Sequence, residues 1–189
     1  MSIFSGNFIT EGLRGLFGKQ VVFRTQKGRT IMSARPRRKR KVSDAQLRQR
    51  TRFRGATCYA KQAIADADMR KLYDERAQKS WKLQTAFNVA VADYMCSPEV
   101  KDIDITGYKG CVGDRIIIEA TDDFMVKGVK VVIRKDDGFL VEQGDAMLSF
   151  NGMNWVYSAQ IANMSYEGTV VIVRAFDFPG NVGEEKVVC

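Results

Sequence analysis

Apolar and polar positions change their period once along the chain, near residue 100. Beyond it the period is two. Arg115–Thr121 sets Ile116, Ile118 and Ala120 against Arg115, Ile117 and Glu119, and Gly128–Arg134 sets Val129, Val131 and Ile133 against Lys130, Val132 and Arg134. Trp155, Tyr157, Ala159 and Ile161 alternate with Val156, Ser158 and Gln160. Side chains of a strand point to opposite faces in turn, so each run predicts a half-buried strand. Thr169–Ala175 is apolar on nearly both faces, the pattern of a central strand. Shorter strands are expected at Ile103–Gly107, Phe139–Glu142, Ala146–Phe150 and Lys186–Val188. Turn signals separate them at Gly113-Asp114, Asp136-Asp137-Gly138, Asn151-Gly152, Glu167-Gly168 and Pro179-Gly180-Asn181. About seven strands at this spacing predict a β-sandwich over 101–189.

Before residue 100 the period is helical. Ser43 followed by Gln46 makes an S-x-x-Q capping box, and the helix it opens runs to about Ala65 with Ala45, Ala56, Ala60, Ala63 and Ile64 on a small-residue face. A second helix is expected from about Asp68, carrying Met69, Leu72, Tyr73 and Arg76. A third runs from about Lys82 to Met95, with Leu83, Ala86, Phe87, Ala90, Val91, Tyr94 and Met95 at i, i+3 and i+4, and Ser97-Pro98 ends it. Further upstream, Val21–Arg24 and Thr30–Ser33 flank a polar turn with Gly28, the signal of a short hairpin. The chain thus divides into a basic arm with a hairpin (1–42), a helical region of two to three helices (43–97) and the sandwich (101–189), an α+β protein.

Charge sharpens this division. Residues 1–60 hold 15 Lys/Arg against 2 Asp/Glu, whereas residues 99–189 hold 9 against 15. The densest stretch comprises Arg35, Arg37, Arg38, Lys39, Arg40 and Lys41. Arg48, Arg50, Arg52 and Arg54 continue it along the first helix. Pro36 and mutual repulsion argue for an extended, solvated arm. Such a tract suits a polyanion, whose phosphates it neutralises with release of counterions, or an acidic protein surface. The four arginines recur every second residue, so at about 100° per residue they spread around the helix.

Other constellations mostly exclude functions. The chain has no histidine, so no Ser/His or Cys/His nucleophile pair and no imidazole base exists. It also has no G-x-S-x-G, Walker loop or dinucleotide fingerprint. Gly12, Gly15 and Gly18 read as turns rather than a phosphate cradle. The adjacent carboxylates Asp122-Asp123 point apart on a strand end, so a shared acid–base site is not expected. Asp122, Asp123, Asp136, Asp137 and Asp177 fall in loops and are hard oxygen ligands suited to Ca²⁺ should those loops converge. Turn formation is the preferred account, and no metal, cofactor or small-molecule substrate is expected. Cys58, Cys96, Cys111 and Cys189 fit neither a disulfide framework nor a zinc site. The first three read as buried bystander thiols and Cys189 as exposed. With no secretory signal in Met1–Thr10 and no apolar run of membrane-spanning length, a reduced cytoplasmic compartment is expected.

Two stretches carry a resemblance. DITGYKGCVGDRIIIEATDDFMVKGVKVVIRKDDGFLVEQG, then NWVYSA, then VRAFDFPGN (within 104–181) resemble bacterial immunoglobulin-like or fibronectin-like modules, in which a strand ends in a D-x-x-G-N turn near the last hairpin. GKQVVFRTQKGRTIMS through PRRKRKVSDAQLRQRTRF to NVAVADYM resembles the front part of uncharacterised bacterial and phage-associated proteins. The resemblance implies an immunoglobulin-like sandwich and brings no catalytic residue. The resulting expectation is a non-enzymatic structural or interaction protein, part of a phage-type particle or similar assembly. Its sandwich would be the docking module, its basic arm would contact acidic surfaces, and its partners would be proteins or other copies of itself. The alternative is non-specific nucleic-acid binding through residues 19–60.

Overall fold

A computed structural model describes residues 2–4, 12–26, 29–35, 42–79 and 84–189. These form two compact units, residues 1–47 and 48–189.

The first unit is built on a four-stranded antiparallel sheet in the order β1-β4-β3-β2. Its strands are β1 (Ser2–Phe4), β2 (Gly15–Phe17), β3 (Val21–Gln26) and β4 (Arg29–Ala34). The expected hairpin is β3–β4, in register from Val21 opposite Ala34 to Gln26 opposite Arg29. Its turn residue Gly28 lies outside the described residues. The two flanking strands were not foreseen, because three-residue runs such as Gly15–Phe17 are too short to show a period. Gly12, Gly15 and Gly18 all have positive φ; Gly12 and Gly18 lie in turns as expected, whereas Gly15 opens strand β2.

Helix α1 (Asp44–Ala65) starts where the capping box placed it. Ser43 Oγ accepts from Gln46 N at 3.3 Å, and Gln46 Oε1 accepts in return from Ser43 N at 3.4 Å. Ala56, Ala60 and Ala63 are its buried residues. The small face lets α1 come close to its neighbour: a Cβ on Gly55 would sit 2.9 Å from Tyr94 Oη. Helix α2 (Ala67–Lys79) is opened by Asp66, whose Oδ1 accepts from the N–H groups of Asp68 and Met69. Helix α3 (Ala86–Met95) begins later than the period suggested, because Thr85 acts as its N-cap and takes the N–H of Asn88. Leu83, placed by sequence on its face, lies outside the described residues. Ala60, Ala63, Tyr73, Ala86, Val89 and Ala90 make a small second core, joined by Phe124 from the sandwich.

The sandwich has seven antiparallel strands in the order β11-β10-β7-β8-β9-β6-β5. They are β5 (Glu99–Asp104), β6 (Arg115–Thr121), β7 (Gly128–Arg134), β8 (Leu140–Leu148), β9 (Asn154–Ser158), β10 (Val170–Phe176) and β11 (Val182–Val188). Strand β8 ties the halves together: residues up to Ala146 pair with β7, and Met147 and Leu148 pair with β9. The expected inward residues Ile116, Ile118, Val131, Ile133, Tyr157 and Val171 are all buried in one core, while Trp155 only packs on its margin. Full burial of such side chains contributes about 1.5–3 kcal/mol each. The two end strands approach each other, since a Cβ on Gly183 of β11 would lie 1.9 Å from the Pro98 carbonyl oxygen just before β5. The sheet is therefore nearly closed into a barrel.

Several boundaries differ from the sequence reading for local reasons. β5 ends at Asp104 because its carboxylate folds into a turn with Thr106. The runs at Phe139–Glu142 and Ala146–Phe150 are one strand, β8. Gly144 between them does not break it but lets the Tyr157 ring pack, with Cε2 2.9 Å from where a Cβ would be. β9 stops at Ser158 because the N–H groups of Gln160 and Ile161 turn to Glu142 Oε2. The cysteines also differ: Cys58, Cys96 and Cys111 are exposed and Cys189 is half-buried.

Candidate functional site

The basic residues singled out from sequence are only partly brought together. Arg37, Arg38, Lys39, Arg40 and Lys41 lie outside the described residues. Arg35 is exposed just past β4, its backbone N–H donating to Gln20 O at 2.7 Å. Arg48, Arg50, Arg52 and Arg54 are all exposed on α1. Positions four apart share a side of a helix, so Arg48 and Arg52 form one row and Arg50 and Arg54 another, roughly 160° away. Arg52 is already engaged within the fold, its Nη2 donating to Met95 O at 2.9 Å, which sets a cation at the C-terminal end of α3. Arg48, Arg50 and Arg54 have no ion pair among the described residues.

A second feature lies on the sandwich and escaped the sequence reading. The β8–β9 hairpin exposes Met147 (78%), Leu148 (53%), Phe150 (113%) and Met153 (69%). Its turn is firmly held. Ser149 N donates to Asn154 O at 2.8 Å, and Asn151 Oδ1 accepts from Met153 N and Asn154 N. Phe150 is thus held outward by a well-bonded turn, a small pre-formed apolar knob.

The densest chemistry lies where the helices meet the sandwich. The β10–β11 turn is the D-x-x-G-N sequence. Asp177 Oδ1 accepts from Gly180 N (2.8 Å) and Asn181 N (2.6 Å), with Gly180 at φ +95°. Asn181 Nδ2 then reaches Asp177 Oδ2 at 2.7 Å and the carbonyl of Cys96 at 2.9 Å, with Tyr94 O and Asp93 O at 3.3 and 3.4 Å. The turn therefore satisfies the carbonyls left open at the end of α3. Nearby, Phe124 stacks on Tyr73 with centroids 4.4 Å apart, and Arg76 donates to Asp123 O.

Beside this junction three carboxylates converge. Asp93 of α3 and Asp122 and Asp123 of the β6–β7 loop each bring an oxygen within 4.8 Å of the others, the one such group among the described residues. Asp93 is wholly buried. Its Oδ2 accepts from Tyr73 Oη at 2.5 Å, and Tyr73 Oη in turn lies 2.8 Å from Tyr59 Oη. Asp122 Oδ2 accepts from the N–H groups of Phe124 and Met125. Asp93 Oδ1 and Asp122 Oδ1 are buried without a hydrogen-bond partner among the described residues. Two unit charges at 4.8 Å repel by about 3–4 kcal/mol at an effective dielectric of 20. Burial pushes Asp93 up to about 7; the Tyr73 hydrogen bond, second in size, opposes it, and the charges of Asp122, Asp177 and Asp123 add to the rise. Burial, followed by the neighbouring Asp122, also raises Asp123. The Cys96 thiol is raised by burial and by Asp123 beside it, so it is not an activated nucleophile.

The sequence points to Asp122, Asp123 and Asp177 but not to Asp93, which sits in a helical pattern like any polar position. Asp177 is consumed by its own turn. Asp136 and Asp137 belong to the separate β7–β8 hairpin, where Asp137 accepts from Phe139 N.

No family model matches the chain, and no curated protein matches it in sequence. Among solved structures, CopC from Methylosinus trichosporium OB3b is similar at a TM-score of 0.34 and 15% identity, over 47% of this chain and 87% of that one. The tetra-tandem repeat in the extending region of a large adhesion protein is similar at 0.32 and 18% identity, over 49% of this chain and 22% of that one. Among the described residues no helix is long and apolar enough to cross a membrane.

Proposed function

We propose that this is a non-enzymatic interaction protein that works within a larger assembly, of a phage-type particle or a similar kind, by associating with further copies of itself. The observation that carries the reading is the β8–β9 hairpin, whose bonded turn holds Phe150 wholly in solvent with Met147, Leu148 and Met153 around it. An aromatic on a rigid turn loses little freedom on docking and has the character of an interface anchor. Charge supports the same reading: residues 1–60 carry an excess of 13 positive charges and residues 99–189 an excess of 6 negative ones. Opposite ends of neighbouring copies are then complementary, which steers association and sets register. The basic run 37–41 and the exposed Arg48, Arg50 and Arg54 would supply the positive side.

The test is a light-scattering mass measurement at micromolar protein, with reductant, at low and high salt, with and without nucleic acid. Self-association at low salt that is lost in Phe150→Ser and in a variant with residues 37–41 changed to glutamine supports the proposal. A monomer that binds only nucleic acid, with a salt slope of about −0.9 per phosphate contacted, overturns it in favour of non-specific nucleic-acid binding through residues 19–60.

A further inference from the structure

We propose that Asp93, Asp122 and Asp123 form a binding site for a hard divalent cation of the Ca²⁺ or Mg²⁺ class. This goes beyond the assembly reading and does not depend on it. A buried carboxylate is normally paired with a cation or fully hydrogen-bonded. Among the described residues Asp93 is neither: it is wholly buried, one oxygen is bonded to Tyr73, and the other has no partner. Asp122 repeats the pattern, with one oxygen on two backbone N–H groups and the other buried with no partner among the described residues. The two orphaned oxygens belong to two members of the same convergent group, in which one carboxylate oxygen of each residue lies within 4.8 Å of the others.

The protein's own cations compensate the group only in part: the charge of Arg76 acts on Asp123, but less than burial and Asp122 do. Arg76 donates to the backbone carbonyl of Asp123 and Arg52 to that of Met95, and among the described residues neither makes an ion pair with the three carboxylates. The donors are all oxygen, with no imidazole in the chain, which suits Ca²⁺ or Mg²⁺ rather than a softer metal. Tyr73 fixes Asp93 from behind and the Phe124 and Met125 N–H groups fix Asp122, so the carboxylates are oriented by their own hydrogen bonds. Asp93 is on α3 and the other two follow β6, so a bound cation would join the helices to the sandwich within residues 48–189.

The experiment uses the full chain, stripped with EDTA and titrated separately with Ca²⁺ and Mg²⁺ by calorimetry, with Tb³⁺ luminescence sensitised by Tyr73 as an independent probe. One saturable site is expected, with a rise in Tm of roughly 5–10 °C at about 100 times Kd. The calcium and magnesium arms identify which ion is preferred. Asp123→Asn, at the exposed member of the group, should weaken binding at least about tenfold by removing one charged ligand. Asp93→Asn should abolish it, while in EDTA its Tm should be no lower than the parent's because an uncompensated charge is gone. Absence of saturable binding by the parent up to about 10 mM, well above the Kd of weak calcium modules, would overturn the proposal. So would binding that both variants leave unchanged.

Discussion

Closure of the sandwich rests on one residue without a side chain. Gly183 of β11 faces the chain just before β5, and an alanine Cβ there would lie 1.9 Å from Pro98 O and 2.8 Å from Pro98 C. Contacts under 3.0 Å do not occur, so more than about 1 Å of backbone movement is required. Neither strand can easily yield. β11 is paired along its length with β10, where Gly183 stands opposite the fully buried Ala175. Just upstream, the turn that leads into β11 is tied by Asn181 to the end of α3. Overpacking costs typically 1–3 kcal/mol, and a clash between two backbones belongs at the upper end, so Gly183→Ala should cost about 3 kcal/mol. For a chain of this size that lowers Tm by roughly 6–12 °C. Gly128→Ala is the comparison, since none of the described residues comes within 4 Å of its Cβ position. Gly144→Ala should fall between the two, because it meets the edge of the Tyr157 ring rather than backbone. Thermal unfolding followed by far-UV circular dichroism gives the order. If Gly183→Ala melts with Gly128→Ala, β11 and β5 are not in contact and the near-closure of the sheet is refuted.

Two further outcomes follow from the same geometry. Asn181→Ala leaves Asp177 Oδ2 and the Cys96 carbonyl without their donor, at a cost of about 2–3 kcal/mol. Asn181→Asp should be worse, since it sets an acceptor among acceptors, and urea midpoints that rank the two the other way would count against this tether. Asp114 accepts from the N–H groups of Lys109 and Cys111, which holds its carboxyl below the usual carboxylate range. Its folded pKa is lowered, so its contribution is present above the unfolded value and fades as pH falls through the folded one. The destabilisation caused by Asp114→Ala should accordingly be larger at about pH 6 than at about pH 2, and a difference that does not shrink would exclude a charge-dependent role.

The sandwich was legible because its inner and outer faces obey a period of two. Residues 115–121 alternate exposed and buried without exception, and the capping box at Ser43 located α1 to within a residue. What escaped lacked a local signature. Gly144 reads as a break in a one-dimensional pattern, yet its role is to admit a ring from the next strand. Cys58, Cys96 and Cys111 are expected inside because free cysteine usually behaves as a small apolar residue, but Cys58 falls on the outer side of a helix whose inner side is already filled by alanines. The exposed apolar hairpin was read as strand, because Met147, Leu148 and Phe150 look like core until the fold shows which way they point.

Asp93 is the least legible position and violates the most rules. It lies in the last turn of α3, where the helix dipole favours cations. It is fully buried, where a carboxylate needs a paired charge, and its neighbours are more carboxylates. No rule of helix formation or packing asks for it, since an asparagine of the same shape could keep a hydrogen bond with Tyr73. By contrast the adjoining D-x-x-G-N turn obeys every local rule, each side-chain oxygen of Asp177 and the Asn181 amide nitrogen finding a partner within a few ångströms. One junction thus holds a fully satisfied polar network and, beside it, an unsatisfied one. Sites that break local rules in an otherwise consistent sequence are where function concentrates. The contrast therefore separates the structural half of this junction from the half that calls for a ligand.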